Sequence, residues 1–352
     1  MASALYLPVG APWPASVPTV SFTNFSLNGS TDAIEYIFQM PEAATITHGW
    51  FRLNAVTGAS PVYRASLQGV NTSGEPDGTI KGGGSPVSKT FTPSGSATFQ
   101  KIAFDNSYVA ARGELLALVM DYSSGTIDGS NFASMTSRLA NGTTEFPYPI
   151  VNDAGARSKV NTLPVFAVAS ASKVYGFPVL AQVQTIINAS EAGSKFSLPS
   201  GWGDTYKVVG VHIWAANLVL AKTLSMKLYS GGDVGDTTVL QDVTWDSDWS
   251  SATSSADTWT IYFDESSLST LTFGNTYRIA LSTPDASNQT LQGFSVSAVA
   301  DLDAFPLGQQ FTLSTRAGGN WTDTATTRNF MEIILDDITK PSGGGGGGGI
   351  FF

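Results

Sequence analysis

The sequence predicts an all-β protein made of two tandem antiparallel β-sandwiches, and three observations carry that prediction. Apolar residues recur with a period of two rather than 3.6: Trp259, Ile261 and Phe263 alternate with polar neighbours, as do Tyr277, Ile279 and Leu281, and Leu224, Met226 and Leu228. Such alternation marks strands with one buried face. Turn formers separate these runs, in clusters such as Ser73-Gly-Glu-Pro-Asp-Gly78 and Ser230-Gly-Gly-Asp-Val-Gly235. The chain also repeats itself at an offset near 160 residues. Ile102-Ala-Phe104-Asp105 answers Ile261-Tyr-Phe263-Asp264, Phe38-Gln-Met40-Pro41 answers Phe196-Ser-Leu198-Pro199, Gly49 answers Gly210, and Gly113-Glu-Leu-Leu-Ala-Leu-Val-Met120 answers Gly274-Asn-Thr-Tyr-Arg-Ile-Ala-Leu281.

In chain order the prediction is an extended N-terminal arm over 1–19, a first sandwich over 20–172, a second over 173–340 and a glycine-rich tail over 341–352. The arm reads Leu7-Pro-Val-Gly-Ala-Pro-Trp-Pro14, in which Leu7, Pro8, Pro12, Trp13 and Pro14 make a stiff, apolar segment suited to lying across a neighbour. The first eighteen residues lack the basic start and continuous apolar run of a secretion signal. Within each copy, roughly eight short strands with long connections favour a jelly-roll-like topology over a meander. The stretch with the most helical pattern is 265–271, and it spans no more than a turn or two. Ala169-Ser-Ala-Ser-Lys173 reads as the junction between the copies.

Composition narrows the function. Twenty-eight acidic residues against 18 basic ones give a net charge of −10, and no dense Lys/Arg run provides the basic footprint that nucleic acid or an anionic membrane needs. Neither is an expected partner. With no cysteine in the chain, disulfides, thiolate metal sites and a cysteine nucleophile are excluded. There are two histidines, in His48-Gly-Trp50 and His212-Ile-Trp214. The Gly49/Gly210 register sets His48 against Val209 and His212 against Phe51, so the shared triplet is a coincidence and not a repeated site.

No catalytic set is expected. A Gly-x-Ser-x-Gly elbow is lacking, and the carboxylate pairs Asp246/Asp248, Asp301/Asp303 and Asp336/Asp337 sit in short local clusters that suit turns and strand ends better than a hydrolytic site. Calcium is the one cofactor with a candidate site, at Asp242, Asp246 and Asp248, because hard cations use carboxylates on loops. The same stretch, Thr244-Trp-Asp-Ser-Asp-Trp249, sets Trp245 and Trp249 beside Asp246 and Asp248. Indole faces that pack on a sugar ring and carboxylates that accept its hydroxyls make this a candidate glycan or partner contact. Gly82-Gly-Gly84 and the glycines of 343–349 lack the following Lys-Ser/Thr of a phosphate loop.

A family resemblance rests on the repeated motifs. Phe-x-x-Pro opening a strand, a strand with a central glycine, a Gly/Pro/Asp loop after Ser66-Leu-Gln-Gly69, Ile-x-Phe, and Leu271-Thr-Phe-Gly274-Asn-Thr-Tyr277-Arg-Ile279-Ala-Leu281 together resemble the jelly-roll modules of bacterial surface proteins and of tailed-bacteriophage virion proteins. In the first copy Leu116 stands where that last motif has its tyrosine. The resemblance spans most of both copies and implies a binding or structural role.

The tail sharpens the expectation. Seven glycines, Gly343 to Gly349, precede Ile350, Phe351 and Phe352. Glycine has the most backbone freedom to lose, so such a tail is ordered only where a groove supplies hydrogen bonds and close packing; the groove of another subunit is the expected seat, and a groove on the second sandwich of the same chain is the alternative. Two similar sandwiches with connecting peptides at both ends resemble a virion surface component of a tailed bacteriophage: a capsid or tail decoration protein, or a fibre subunit. This would be assembled in the bacterial host cytoplasm, with other virion proteins and copies of itself as partners. The alternative is a carbohydrate-binding adhesin for host glycan, on the same particle or on a bacterial cell surface.

Overall fold

The structure is a computed structural model in which the residues described are 5–9, 22–59, 61–95, 98–139, 147–160, 164–187, 190–216, 223–246, 257–283, 289–304 and 310–339. The chain begins with β1 (Leu5–Val9). The first copy then runs through β2 (Phe22–Leu27), β3 (Ala33–Gln39), β4 (Ala44–Thr57), β5 (Val62–Val70), β6 (Pro76–Ile80), β7 (Ser88–Phe91), β8 (Thr98–Ala110), β9 (Leu115–Ser124), β10 (Phe132–Leu139), β11 (Tyr148–Asp153), β12 (Ala156–Lys159), β13 (Phe166–Ala169) and β14 (Val174–Gly176). The second copy comprises β15 (Ala181–Ile187), β16 (Glu191–Ser197), β17 (Thr205–Ala216), β18 (Thr223–Ser230), β19 (Val239–Asp246), β20 (Asp257–Tyr262), β21 (Thr270–Thr272), β22 (Thr276–Ser282), β23 (Gln289–Ser295), β24 (Phe311–Arg316), β25 (Thr322–Thr324), β26 (Thr327–Asn329) and β27 (Met331–Thr339). The fold is all-β, as the period-two patterning requires. Where the sequence suggested a helical turn at 265–271, a single 3-10 turn, Glu265–Ser267, forms, and the Asp264 carboxylate caps it by accepting from the Ser266 amide at 2.9 Å. Leu271 lies beyond that turn in β21 and is buried, so it is spent on the core and not on a helix face.

Each copy consists of two antiparallel sheets, and the strand orders match. In the first copy one sheet runs β12-β11-β3-β9-β5-β6, with β7 also on β5, and the other β14-β13-β4-β10-β2, with β8 on β4. In the second copy the counterparts are β25-β24-β16-β22-β18-β19 and β1-β27-β17-β23-β15, with β20 and β21 on β17. Successive main strands step from one sheet to the other: β3, β5, β9 and β11 lie in one, β4, β8, β10 and β13 in its partner. A simple meander would instead pair each strand with the next. The long strands β4 and β17 behave alike. Each pairs along one edge with β8 or with β20 and β21, and along the other first with β13 or β27 and then with β10 or β23.

The repeated motifs have repeated geometry. Gly113 and Gly274 adopt φ of 82° and 84°, a left-handed turn that favours glycine. Each donates its amide across to the residue before a proline: Gly113 to the Met40 carbonyl and Gly274 to that of Leu198, both at 2.8 Å. The Phe-x-x-Pro and Gly motifs are thus two halves of one contact.

Contacts divide the chain into two units, Ala11–Val183 with Phe294–Gln309, and Met1–Gly10 with Gln184–Gly293 and Gln310–Phe352. In the first unit Ile34, Tyr36, Leu67, Leu118 and Met120 of one sheet meet Phe51, Leu53, Ile102, Met135 and Phe166 of the other, all essentially inaccessible to solvent. Tyr36 sits 5.0 Å from Phe166 and 5.9 Å from Phe51, ring centre to ring centre. Buried tyrosines there also carry backbone hydrogen bonds. The Tyr63 hydroxyl donates to the Leu27 carbonyl at 2.7 Å and accepts from the Ala133 amide at 3.0 Å, which ties β2 and β10 to β5. Burial pushes its phenol up to about 12. Asp301, in the short turn Val299–Ala304, is buried in this unit and pairs with Lys101 at 2.8 Å. In the second unit Tyr206 of β17 lies 6.4 Å from Tyr277 of β22, edge to face, and Gln241 of β19 donates to the Val208 carbonyl of β17 at 2.8 Å.

Candidate functional site

Two places concentrate structure that a simple sandwich does not need. The first is the outer edge of the sheet built on β4 or β17. In the first copy β14 closes this edge on β13, with Val174, Tyr175 and Gly176 facing Ala169, Val168 and Ala167. The φ of Gly176 is 125°, and a side chain there would run into the Phe166 carbonyl, so the close approach requires glycine. Glu42 anchors the segment by accepting from Lys173 at 2.7 Å and Tyr175 at 3.0 Å, contacts that hold its carboxyl below the usual range. In the second copy the same edge is closed by β1, which pairs with β27 over five residues from Leu5 opposite Leu335 to Val9 opposite Met331. Leu7 and Pro8, read from the sequence as part of an arm across a neighbour, therefore lie in a strand paired with this chain's own β27. Pro12, Trp13 and Pro14 fall outside the described residues.

The second place is a polar cluster on the sheet of β16, β18, β22, β24 and β25. Arg278 is fully buried, and each of its five N–H groups has an acceptor: Ser314 Oγ, the carbonyls of Gly231, Gly232 and Asp233, and Asp323 Oδ2, at 2.7 to 3.2 Å. Asp323 also accepts from Lys195 at 2.9 Å and Ser314 at 2.8 Å. Burial alone would raise the Asp323 carboxyl, but these donors and the nearby Arg278 charge outweigh it and hold the carboxyl below its usual value. Trp321 fixes the same loop, its indole N–H donating to the Asp236 carbonyl at 2.7 Å. Next to it Arg316 stacks 4.8 Å from the Trp321 ring and 4.9 Å from that of Tyr229 and pairs with Glu191, which the Tyr229 hydroxyl also reaches. On the equivalent sheet of the first copy a buried Glu35 pairs with the exposed Arg157 at 3.1 Å. Burial raises the Glu35 carboxyl against the opposing pull of Arg157.

A cleft of about 690 Å³ opens beside the pinned loop, lined by Gly231, Gly232, Asp233, Asp236, Asn275 and Tyr277 among others. Its chemistry is limited. The Asp236 carboxylate accepts from the Asp233 amide at 2.8 Å, and the Tyr277 hydroxyl accepts from the Thr272 amide at 2.9 Å. With every Arg278 donor engaged, the guanidinium braces the loop and has no N–H to offer an anion in the cleft.

The side chains singled out by sequence fall as follows. Trp249 and Asp248 lie outside the described residues, as do Gly343, Gly349, Ile350, Phe351 and Phe352 of the tail. The backbones of Trp245 and Asp246 end β19, opposite Leu224 and Thr223. Asp242 is exposed on the same strand, four residues from Asp246. Among the described residues no three His, Asp or Glu side chains gather as metal ligands. His48 and His212 each share a hydrogen bond with a threonine, Thr47 at 2.8 Å and Thr260 at 2.7 Å. Asp336 accepts from the Asp337 amide, and Asp337 pairs with Lys207 at 2.8 Å. Sequence reasoning missed the Arg278–Asp323–Trp321 cluster. The available signal was a lone arginine inside the otherwise apolar Tyr277-Arg-Ile-Ala-Leu281.

No family model matches the chain, and no curated protein does. Among solved structures, one of the Gt strain of infectious bursal disease virus aligns over 92% of this chain and 83% of its own, with 11% identity and a TM-score of 0.17. A second, the VP2 subviral particle of the same virus, aligns over 93% of this chain and 83% of its own, with 11% identity and a TM-score of 0.14. Chains of unrelated fold reach such scores.

Proposed function

We propose that the protein is a non-enzymatic structural component of a virion, a capsid or tail decoration or fibre protein of a tailed bacteriophage, held in its assembly by the segments that flank the two sandwiches. The observation that carries this reading is the seating of β1: a segment from before the first sandwich completes a sheet of the second. Strand addition of this kind gives affinity through main-chain hydrogen bonds and is a common way for chains to join. The polar side chains support the same reading. Arg278, Asp323, Glu191 and Arg316 are spent on bracing strands and loops, where a hydrolase would leave paired carboxylates facing a cleft. The partners under this reading are copies of the chain and other virion proteins, and the site of assembly is the host cytoplasm.

The test is incorporation. Particles assembled with the chain cut after Pro341 should lack the protein, while the truncated protein keeps its far-ultraviolet dichroism and melting temperature. Normal incorporation of the truncated chain would overturn anchoring by the tail. Absence of the full-length protein from purified particles of the source would overturn the virion reading itself.

A further inference from the structure

The strands β1 and β14 are counterparts, and their equivalence extends to single residues. Leu5-Tyr-Leu-Pro-Val9 and Val174-Tyr-Gly-Phe-Pro-Val179 share a tyrosine in the second position and a Pro-Val ending. In the first copy Tyr175 faces Val168, which faces Gly49. In the second Tyr6 faces Ile334, which faces Gly210. Gly49 and Gly210 hold the same place in the repeat, so the two tyrosines occupy the same row of the same sheet. Proline, which cannot donate to a ladder, stands at Pro8 opposite Glu332 and at Pro178 just past β14. Each segment therefore adds one strand and ends the sheet.

Their places in the chain differ in an instructive way. β14 leads into the second copy and caps the copy before it. By the same rule β1, which leads into the first copy, caps whichever copy precedes that one in a series, and the strand it caps is a β27. We propose that β1 is a donor strand that seats on β27 of a second copy of this chain, so that subunits join head to tail by the device that β14 uses inside each one. The five residue pairs are the same whether β1 closes on its own β27 or on that of a neighbour, as in any exchange of an identical element between protomers. The contact is heterologous: one subunit gives a strand, the next accepts it, and the product is a ring if the rotation closes and a filament if it does not. This inference does not rest on the virion reading, since it concerns only how copies of the chain join.

The chain lacks cysteine, which makes a direct test available. Pro8 and Glu332 face each other in the β1–β27 pair, at a separation that antiparallel neighbours share with disulfides. Single variants Pro8→Cys and Glu332→Cys are unfolded, mixed in equal amounts, refolded at high concentration and oxidised. The expected result is a covalent dimer that needs both variants, disappears on reduction and contains an 8–332 disulfide by peptide mapping. The chain carrying both substitutions should give a ladder of multimers whose share grows with protein concentration. If the mixed variants form no 8–332 disulfide while the double variant closes only within single chains, the strand is not exchanged and the proposal fails. If neither preparation forms the 8–332 disulfide, the pairing itself is wrong and the proposal fails with it.

Discussion

At the scale of single residues, the second copy depends on a charge that the sandwich has taken in. Asp323 keeps its proton off further into acid than a free carboxylate does, because Lys195, Ser314 and Arg278 all favour its ionised form. A carboxyl with a lowered folded pKa contributes stability that is complete above its unfolded value, about 3.8, and is lost as the pH falls through the folded value below it. Unfolding free energy measured by urea titration should therefore fall more steeply between about pH 4 and pH 2 in the native protein than in Asp323→Asn. Equal slopes would remove Asp323 from the acid response. The cluster was only half legible in the sequence. Arg278 stands out among apolar neighbours, but its acceptors are mostly carbonyls of 231–233, and nothing in a residue's identity announces its carbonyl. Glycine was easier to read. Gly113 and Gly274 recur because a left-handed turn recurs, and the conformation reaches the sequence directly.

At the scale of elements, the edge of the sheet built on β17 is the sensitive place. A sheet edge without a partner strand exposes a row of unpaired N–H and C=O groups and invites other chains to pair there. Removing residues 1–9 should leave β27 as such an edge. The expected outcome is faster amide exchange in Met331–Thr339, read by mass spectrometry, at amides directed toward β1, with protection in β17 little changed. Unchanged exchange along β27 would mean that β1 adds nothing to the sheet. The strands themselves were legible because alternation survives in β18, β20 and β22. β1 was not, since Leu-Tyr-Leu-Pro-Val is too short for a period and its proline reads as a stiff arm. Its identity as a strand depends on β27, more than 300 residues away in the chain. No local window contains that information.

At the scale of the whole molecule, each unit has its own core, and each core has its own polar tie. Two separable denaturation steps are expected. Tyr63→Phe leaves the buried Leu27 carbonyl and Ala133 amide without a partner and should lower the stability of the first unit by about 1–3 kcal/mol. Arg278→Met takes the guanidinium donors from the carbonyls of Gly231, Gly232 and Asp233, leaves Asp323 with Lys195 and Ser314, and should cost the second unit about 3 kcal/mol or more. In calorimetry or a urea titration followed by two probes, each substitution should move one step and spare the other. A single transition that both substitutions shift alike would show that the units unfold together. The internal duplication made the repeated strand order legible in the sequence, but not the division into units, in which 294–309 joins the first copy and 1–10 the second.

That repeated order also bears on how the chain reaches its fold. Because successive strands cross between sheets, few neighbours in sequence become neighbours in a ladder, and folding must close long loops before it gains much in return. Meanwhile each strand along the matched sheet orders has a double in the other copy that would accept the same partners by backbone alone. What separates right from wrong is side-chain volume. The innermost row of β9 is Leu116, Leu118 and Met120, whereas that of β22 is Tyr277, Ile279 and Leu281. A β9 captured by the second sandwich would leave a hole where a phenol ring belongs, and a β22 captured by the first would bring a ring for which there is no room. Divergence of the two cores thus works as a proofreading device, rejecting pairings that hydrogen bonds cannot tell apart.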